Sequence, residues 1–112
     1  MDESILNTIK KMLHIDPDET DFDEDIIVNI NSALMALSQI GVGIIGFQIQ
    51  DASSIWTDFV DYADSLSLIK TYVYLKTKLI FDPPTSSTVI DMYKAQIAEA
   101  EYRLQCRVEI EL

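Results

Sequence analysis

Two adjacent prolines, Pro83 and Pro84, constrain this chain more than any other feature. Each lacks a backbone donor, and the first restricts the residue before it to extended conformations, so a helix break falls near Asp82. Upstream, Leu68, Ile69, Tyr72, Val73, Leu75, Leu79 and Ile80 recur at three- and four-residue intervals, lining one broad face of a helix with apolar groups. Lys70, Tyr74, Thr77 and Lys78 fall largely on the other face. Downstream, Ser86 or Ser87 can cap a new helix through its hydroxyl, and Val89, Ile90, Tyr93, Ile97, Ala100 and Leu104 continue the period to about Arg107. The pattern predicts a long antiparallel helical hairpin from about Ser65 to Arg107.

The rest of the chain reads as further short elements around that hairpin. A helix from about Glu3 to Leu13 turns Ile5, Ile9, Met12 and Leu13 inward, with Asp2 or Ser4 at its positive end. Residues 16–25, DPDETDFDED, form an acidic connection whose last acids cap the next helix, and Phe22 is placed to staple against Ile26 or Ile27. The second helix spans about Asp23 to Ile40, with Ile26, Ile30, Ala33, Leu34, Leu37 and Ile40 on one stripe and Gly41 where a left-handed cap is wanted. Residues 42–50 are apolar and glycine-punctuated; Phe47-Gln48-Ile49-Gln50 alternates like a short strand, which suggests a mobile or hairpin-like loop. Asp51 to Asp64 reads as one helical turn pinned by Trp56 and Phe59. The fold class is therefore all-α for the most part: four to five helices, one long hairpin and a short β-like loop. The last residues, Val108-Glu109-Ile110-Glu111-Leu112, alternate apolar and acidic groups, which reads as a terminal strand open to pairing with another chain, or as a frayed end.

At 112 residues the chain is sized for a single domain spanning 1–112, with 108–112 as a separable tail, and an apolar fraction of 48% is ample for a core. Charge is uneven: residues 1–66 hold 13 acids and 2 bases, a net of −11, whereas residues 67–112 hold 6 of each. A protein that grips duplex DNA neutralises phosphates with clustered Lys and Arg, and no such cluster exists here. A negative wall instead repels phosphate and leaves a passing strand mobile. Cys106 is the sole cysteine, so an internal disulfide is excluded. No signal peptide is expected at the N-terminus, and the longest apolar run, Ile40 to Phe47, is too short to span a bilayer, so a cytoplasmic site of synthesis and no membrane partner are expected.

Motifs with chemical potential fail on their context. Gly41-Val42-Gly43-Ile44-Ile45-Gly46 has the spacing of a dinucleotide loop, but that loop needs a strand before it and a helix after it, and here a helix precedes. Asp16, Asp18 and Asp21 suggest a calcium loop, yet Asp21 and Ile27 stand where glycine and a chelating glutamate are required. His14, the sole histidine, has no set of partners for zinc or for a nucleophile, and a structural place at a helix end suits it better. No catalytic, cofactor or metal residue is assigned, and an enzyme is disfavoured. Aromatics are the remaining currency of recognition. Trp56, Tyr72, Tyr74, Tyr93 and Tyr102 could form an assembly surface, but Tyr72 and Tyr93 continue apolar stripes, which leaves Tyr74 and Tyr102 as the interface candidates.

The order of these pieces resembles the head–tail connector (head-completion adaptor) proteins of tailed bacteriophages and prophages. The resemblance rests on the helical segment Ile5 to Ile15, the acidic linker into Asp25-Ile26-Ile27-Val28-Asn29-Ile30-Asn31-Ser32, the Gly41-Val42-Gly43 stop, the Trp56 segment through Phe59, and Lys70 to Ser87. It implies a structural virion protein that forms a ring, dodecameric if matched to the portal, between portal protein and tail-completion or stopper protein at the head–tail junction, after assembly in the host cytoplasm. DNA would pass through the channel without specific binding. Ring closure needs two different patches on each subunit. The candidates are the loop residues Ile44, Ile45, Phe47 and Ile49, directed to the channel or a neighbour; Tyr74, Lys78 and Tyr102; and the tail residues Val108, Ile110 and Leu112 for strand addition to the portal or an adjacent subunit. The alternative reading is a small acidic helical regulatory or protein-binding module, able to occupy a basic partner's DNA site.

Overall fold

The structure, a computed structural model, describes the backbone of residues 3–60 and 65–111 and the side chains of all of these but 109–111. The expectations for Asp2, for 61–64, for the Ile110 side chain and for Leu112 lie outside the described residues. Five helices follow in order: α1 Ile5–Met12, α2 Asp23–Gln39, α3 Trp56–Phe59, α4 Leu66–Phe81 and α5 Ser87–Glu111. This is the small all-α bundle that the periodicities imply. No strand forms among the described residues; an isolated antiparallel bridge joins Ser4 to Ile55.

Local chemistry sets the helix ends. Ser4 caps α1, its Oγ accepting from Asn7 N at 3.2 Å, and Ser86 does the same for α5 through Val89 N at 3.4 Å. Both α1 and α2 close with the same double hydrogen bond: Ile15 N to Lys10 O and His14 N to Lys11 O after α1, Val42 N to Leu37 O and Gly41 N to Ser38 O after α2. The motif demands a left-handed residue, supplied by Gly41 (φ 94°) and, less comfortably, by His14 (φ 64°). The sole histidine thus shapes a helix end. α2 carries Asp23, Glu24 and Asp25 in its first turn, where they favour its dipole, but no side chain caps it.

α4 lies at the centre, packed on α2 and α5 and touching α1. Ile26, Ile30, Leu34 and Leu37 of α2 meet Ile69, Tyr72 and Val73 of α4 in a core that Ile5 and Ile9 of α1 complete. Each such side chain contributes about 1.5–3 kcal/mol by leaving water. α5 is more lightly seated: its 25 residues span about 37 Å, yet among its described side chains the buried apolar positions are Ile97, Ala100 and Leu104. Tyr72 adds a polar tie, its hydroxyl donating to Glu101 Oε2 at 2.9 Å. Near the far end of α5, Val108 closes on the turn after α2 so tightly that a Cβ at Gly41 would lie 2.9 Å from Val108 Cγ1.

The fold departs from the sequence reading at further places. Residues 108–111 continue α5 and are not a strand, because Val108 extends the four-residue spacing of Ala100 and Leu104 and has Gly41 to pack on. Residues 47–50 pair with no strand. Phe22 meets Phe81 edge-on, ring centroids 5.7 Å apart, where a staple onto α2 was expected. Thr77 turns inward and is fully buried, since α4 is enclosed on more than one face. Ile80 sits on the apolar phase of α4 but is 64% exposed, because α4 outruns its cover.

Candidate assembly interface

Lys10 organises the N-terminal half. Its aliphatic stem descends from α1 into the core and its side chain is 1% exposed, with Nζ 2.6 Å from Glu19 O, 3.1 Å from Pro17 O and 2.8 Å from Asp23 Oδ1. The two carbonyls accept hydrogen bonds, while the Asp23 contact is an ion pair without good hydrogen-bond alignment. A buried ammonium requires such partners. The acidic linker is thereby wrapped around one cation and stiffened by its own turns, Asp18 N to Asp16 Oδ1 and Asp21 N to Glu19 Oε1.

The wrapped linker leaves a groove of about 700 Å³ between its end, the first turns of α2 and the last turn of α4. Phe22, Val28, Ile80 and Phe81 form its apolar floor and walls, and Asp25, Asn29 and Asp82 its rim. Lys78 holds Asp82 there at 2.9 Å. Phe22, Val28 and Ile80 are all exposed. Three large apolar groups are thus exposed side by side next to carboxylates, an apolar patch of the kind that occurs at protein contacts.

A second apolar feature stands after the other end of α2. Gly43 lies under the Phe59 ring, so near that a Cβ would be 2.3 Å from Phe59 Cζ, and Ile44 N donates to Phe59 O at 3.1 Å. On its far side the loop is fixed by the Asn31 side chain, which accepts from Ile49 N at 2.8 Å and donates to Ile49 O at 3.0 Å. One amide thus does the work of a neighbouring strand. Between these anchors Ile44 and Ile45 project, Ile45 being 85% exposed, and a turn from Phe47 N to Ile44 O supports them. The loop is well braced, contrary to the mobile reading.

The residues singled out from the sequence divide. Ile44, Ile45 and Tyr102 are exposed; Phe47 is half-buried against Phe59, ring centroids 5.5 Å apart, and Ile49 is 1% exposed, part of the core. Tyr74 is half-buried beside Tyr93, and burial, first, then that neighbour push its hydroxyl above the ordinary range. The hydrogen bond to Asp82 raises the Lys78 ammonium. Trp56 is enclosed, its Nε1 donating to Thr8 Oγ1 at 3.1 Å. Lys70 stacks 5.9 Å above the Trp56 ring and pairs with Glu3 at 3.4 Å, which lowers the Glu3 carboxyl. These sites are not gathered on one surface. The groove residues Phe22 and Ile80 escape sequence reading because each fits a staple or an inward role; the signal available was Val28, an apolar residue that stands off the Ile26–Ile30 stripe.

Among the described residues no group of three or more His, Cys, Asp or Glu side chains is arranged to hold a metal, and no helix is long and apolar enough to cross a membrane. A family model described as phage connector protein matches residues 5–111, nearly the whole chain. The chain belongs to the phage connector protein family. No curated protein and no solved structure matches it. Membership points to a structural component of the phage particle, in contact with other head or tail components.

Proposed function

We propose that this connector forms a ring at the head–tail junction, seated on the portal, continuing the DNA channel and offering its far side to a tail-completion or stopper protein. The match over residues 5–111 carries the reading. The charge distribution supports it: with Lys10 buried, the outward cations of residues 1–60 reduce to Lys11, so this half presents a carboxylate wall along which phosphate slides without being held. Twelve copies at −11 each would carry −132 formal charges. Assembly then depends on screening salt or on the portal as template, and a free monomer is compatible with the function.

The exposed Tyr102 and the end of α5, with Val108, Ile110 and Leu112, are the proposed contact to the portal or an adjacent subunit, with Tyr74 and Lys78 nearer a subunit seam. Negative-stain microscopy of the purified chain, alone and with its portal across a salt series, tests the reading. Rings with a central channel or an added layer on the portal are expected; a monomer that adds to no portal at any salt overturns it. Removal of 108–112 should abolish portal attachment while far-UV circular dichroism stays helical.

A further inference from the structure

We infer that the Ile44–Ile45 loop of one copy seats in the Phe22–Val28–Ile80–Phe81 groove of the next, making the head-to-tail contact of the assembly; this rests on the ring reading above. The two features follow opposite ends of α2, whose 17 residues span about 25 Å. Within one chain they cannot meet. Gly43 is pinned beneath Phe59 and Ile49 is gripped by Asn31, so the tip cannot travel the length of α2 to its own groove. A knob at one end and a socket at the other is the arrangement that propagates from copy to copy and closes as a ring when the rotation permits.

Charge selects this occupant over the rest of the surface. Asp25 and Asp82, the latter paired with Lys78, rim the groove, and the acidic N-terminal half of a second −11 chain is repelled from it. Residues 40–50, IGVGIIGFQIQ, contain no ionisable side chain, so this loop enters an acid-rimmed groove without Coulombic opposition. The exposed side of α5 around Met92 and Tyr102, the competing apolar surface, is charged in both signs, with Asp91, Lys94, Glu99 and Arg103, and would have to shed that hydration to enter an apolar groove. Shape agrees as well: two branched side chains on a braced turn meet a groove of about 700 Å³ walled by two aromatic rings. The contact is small beside the roughly 1,200 Å² or more of a stable pairwise interface. It therefore holds only when many copies are brought together, in keeping with a templated ring.

The test is a cysteine pair, Ile45→Cys with Val28→Cys in a Cys106→Ser background, assembled on portal rings and treated with a short bis-maleimide. Both positions are exposed, and circular dichroism of each variant controls for folding. A ladder of covalent multimers that needs both cysteines is the expected result. An added layer on the portal with no ladder overturns the contact while the ring reading stands; linkage of Val28→Cys to the portal instead assigns the groove to that partner and also overturns it. No layer and no ladder overturns the ring reading and this contact with it. Ile45→Asp should raise the chain concentration needed for assembly at least tenfold while leaving the monomer's thermal melt unchanged. Unaltered assembly by that variant is the further refuting outcome.

Discussion

Replacing Lys10 with methionine isolates what one buried cation contributes to this fold. Methionine keeps the unbranched shaft, so no large cavity opens and the loss falls on the ammonium's partners. Those are Glu19 O at 2.6 Å, Pro17 O at 3.1 Å and Asp23 Oδ1 at 2.8 Å. Breaking a fully buried charged cluster costs about 3–5 kcal/mol, and a hydrogen bond to a charged group contributes about 1.5–3 kcal/mol. Asp23 is 25% exposed, and the two carbonyls belong to exposed linker residues that can turn toward water. The expected loss is therefore about 2–4 kcal/mol. Unfolding entropy near 2.1 cal/mol/K per residue puts each kcal/mol at about 4 °C for a chain this size, hence a fall in Tm of about 8–16 °C. Urea titration followed by circular dichroism, with calorimetry for Tm, measures it. A double-mutant cycle with Asp23→Asn should return a coupling of about 1 kcal/mol or more. A loss below about 1 kcal/mol, or a methionine variant more stable than the parent, refutes the claim that Lys10 holds the linker in place.

Three further perturbations follow from particular contacts. Gly43→Ala forces a left-handed backbone onto alanine and drives its Cβ into the Phe59 ring, so a loss of at least about 2 kcal/mol is expected in the same titration. Thr77→Val replaces a fully buried hydroxyl that has no hydrogen-bond partner with a methyl of the same shape, and should raise stability by about 1 kcal/mol. Burial, with the bond to Glu101 second, raises the Tyr72 hydroxyl pKa, so the folded state keeps a proton that the unfolded state releases near pH ~10. Its contribution is complete below that pH and is lost as pH rises further; urea midpoints should fall above pH ~10, and Tyr72→Phe should flatten that fall.

Much of the helical framework was legible because helix boundaries here are set by local chemistry: Pro83-Pro84, the Ser4 and Ser86 caps and Gly41 each act within a few residues. What escaped depends on neighbours distant in sequence. Lys10 follows Leu6 by four residues and shares its inward phase, but its burial requires carbonyls presented by a linker whose acids suggest a solvated stretch. Ile49 alternates with glutamines as a strand residue would, yet its backbone partner is the side chain of Asn31. In Val108-Glu109-Ile110-Glu111 a period of two competes with the four-residue spacing inherited from Leu104, and a ready surface at Gly41 decides for helix. Exposed Ile80 makes the complementary point about the interface: helical phase says which way a side chain points, not whether another element arrives to cover it.

The closure of Val108 on Gly41 gives the molecule a spatial shortcut. The end of a 25-residue helix, loosely held along most of its length, presses on the turn from which the Ile44–Ile45 loop springs. That end touches the root of the loop through one van der Waals contact, across the 66 residues of chain between positions 41 and 108. Gly41 has no side chain to cushion it, and the Phe59 anchor beyond resists bending. The end of α5 and the root of the loop are thus neighbours in space although they stand far apart in the chain.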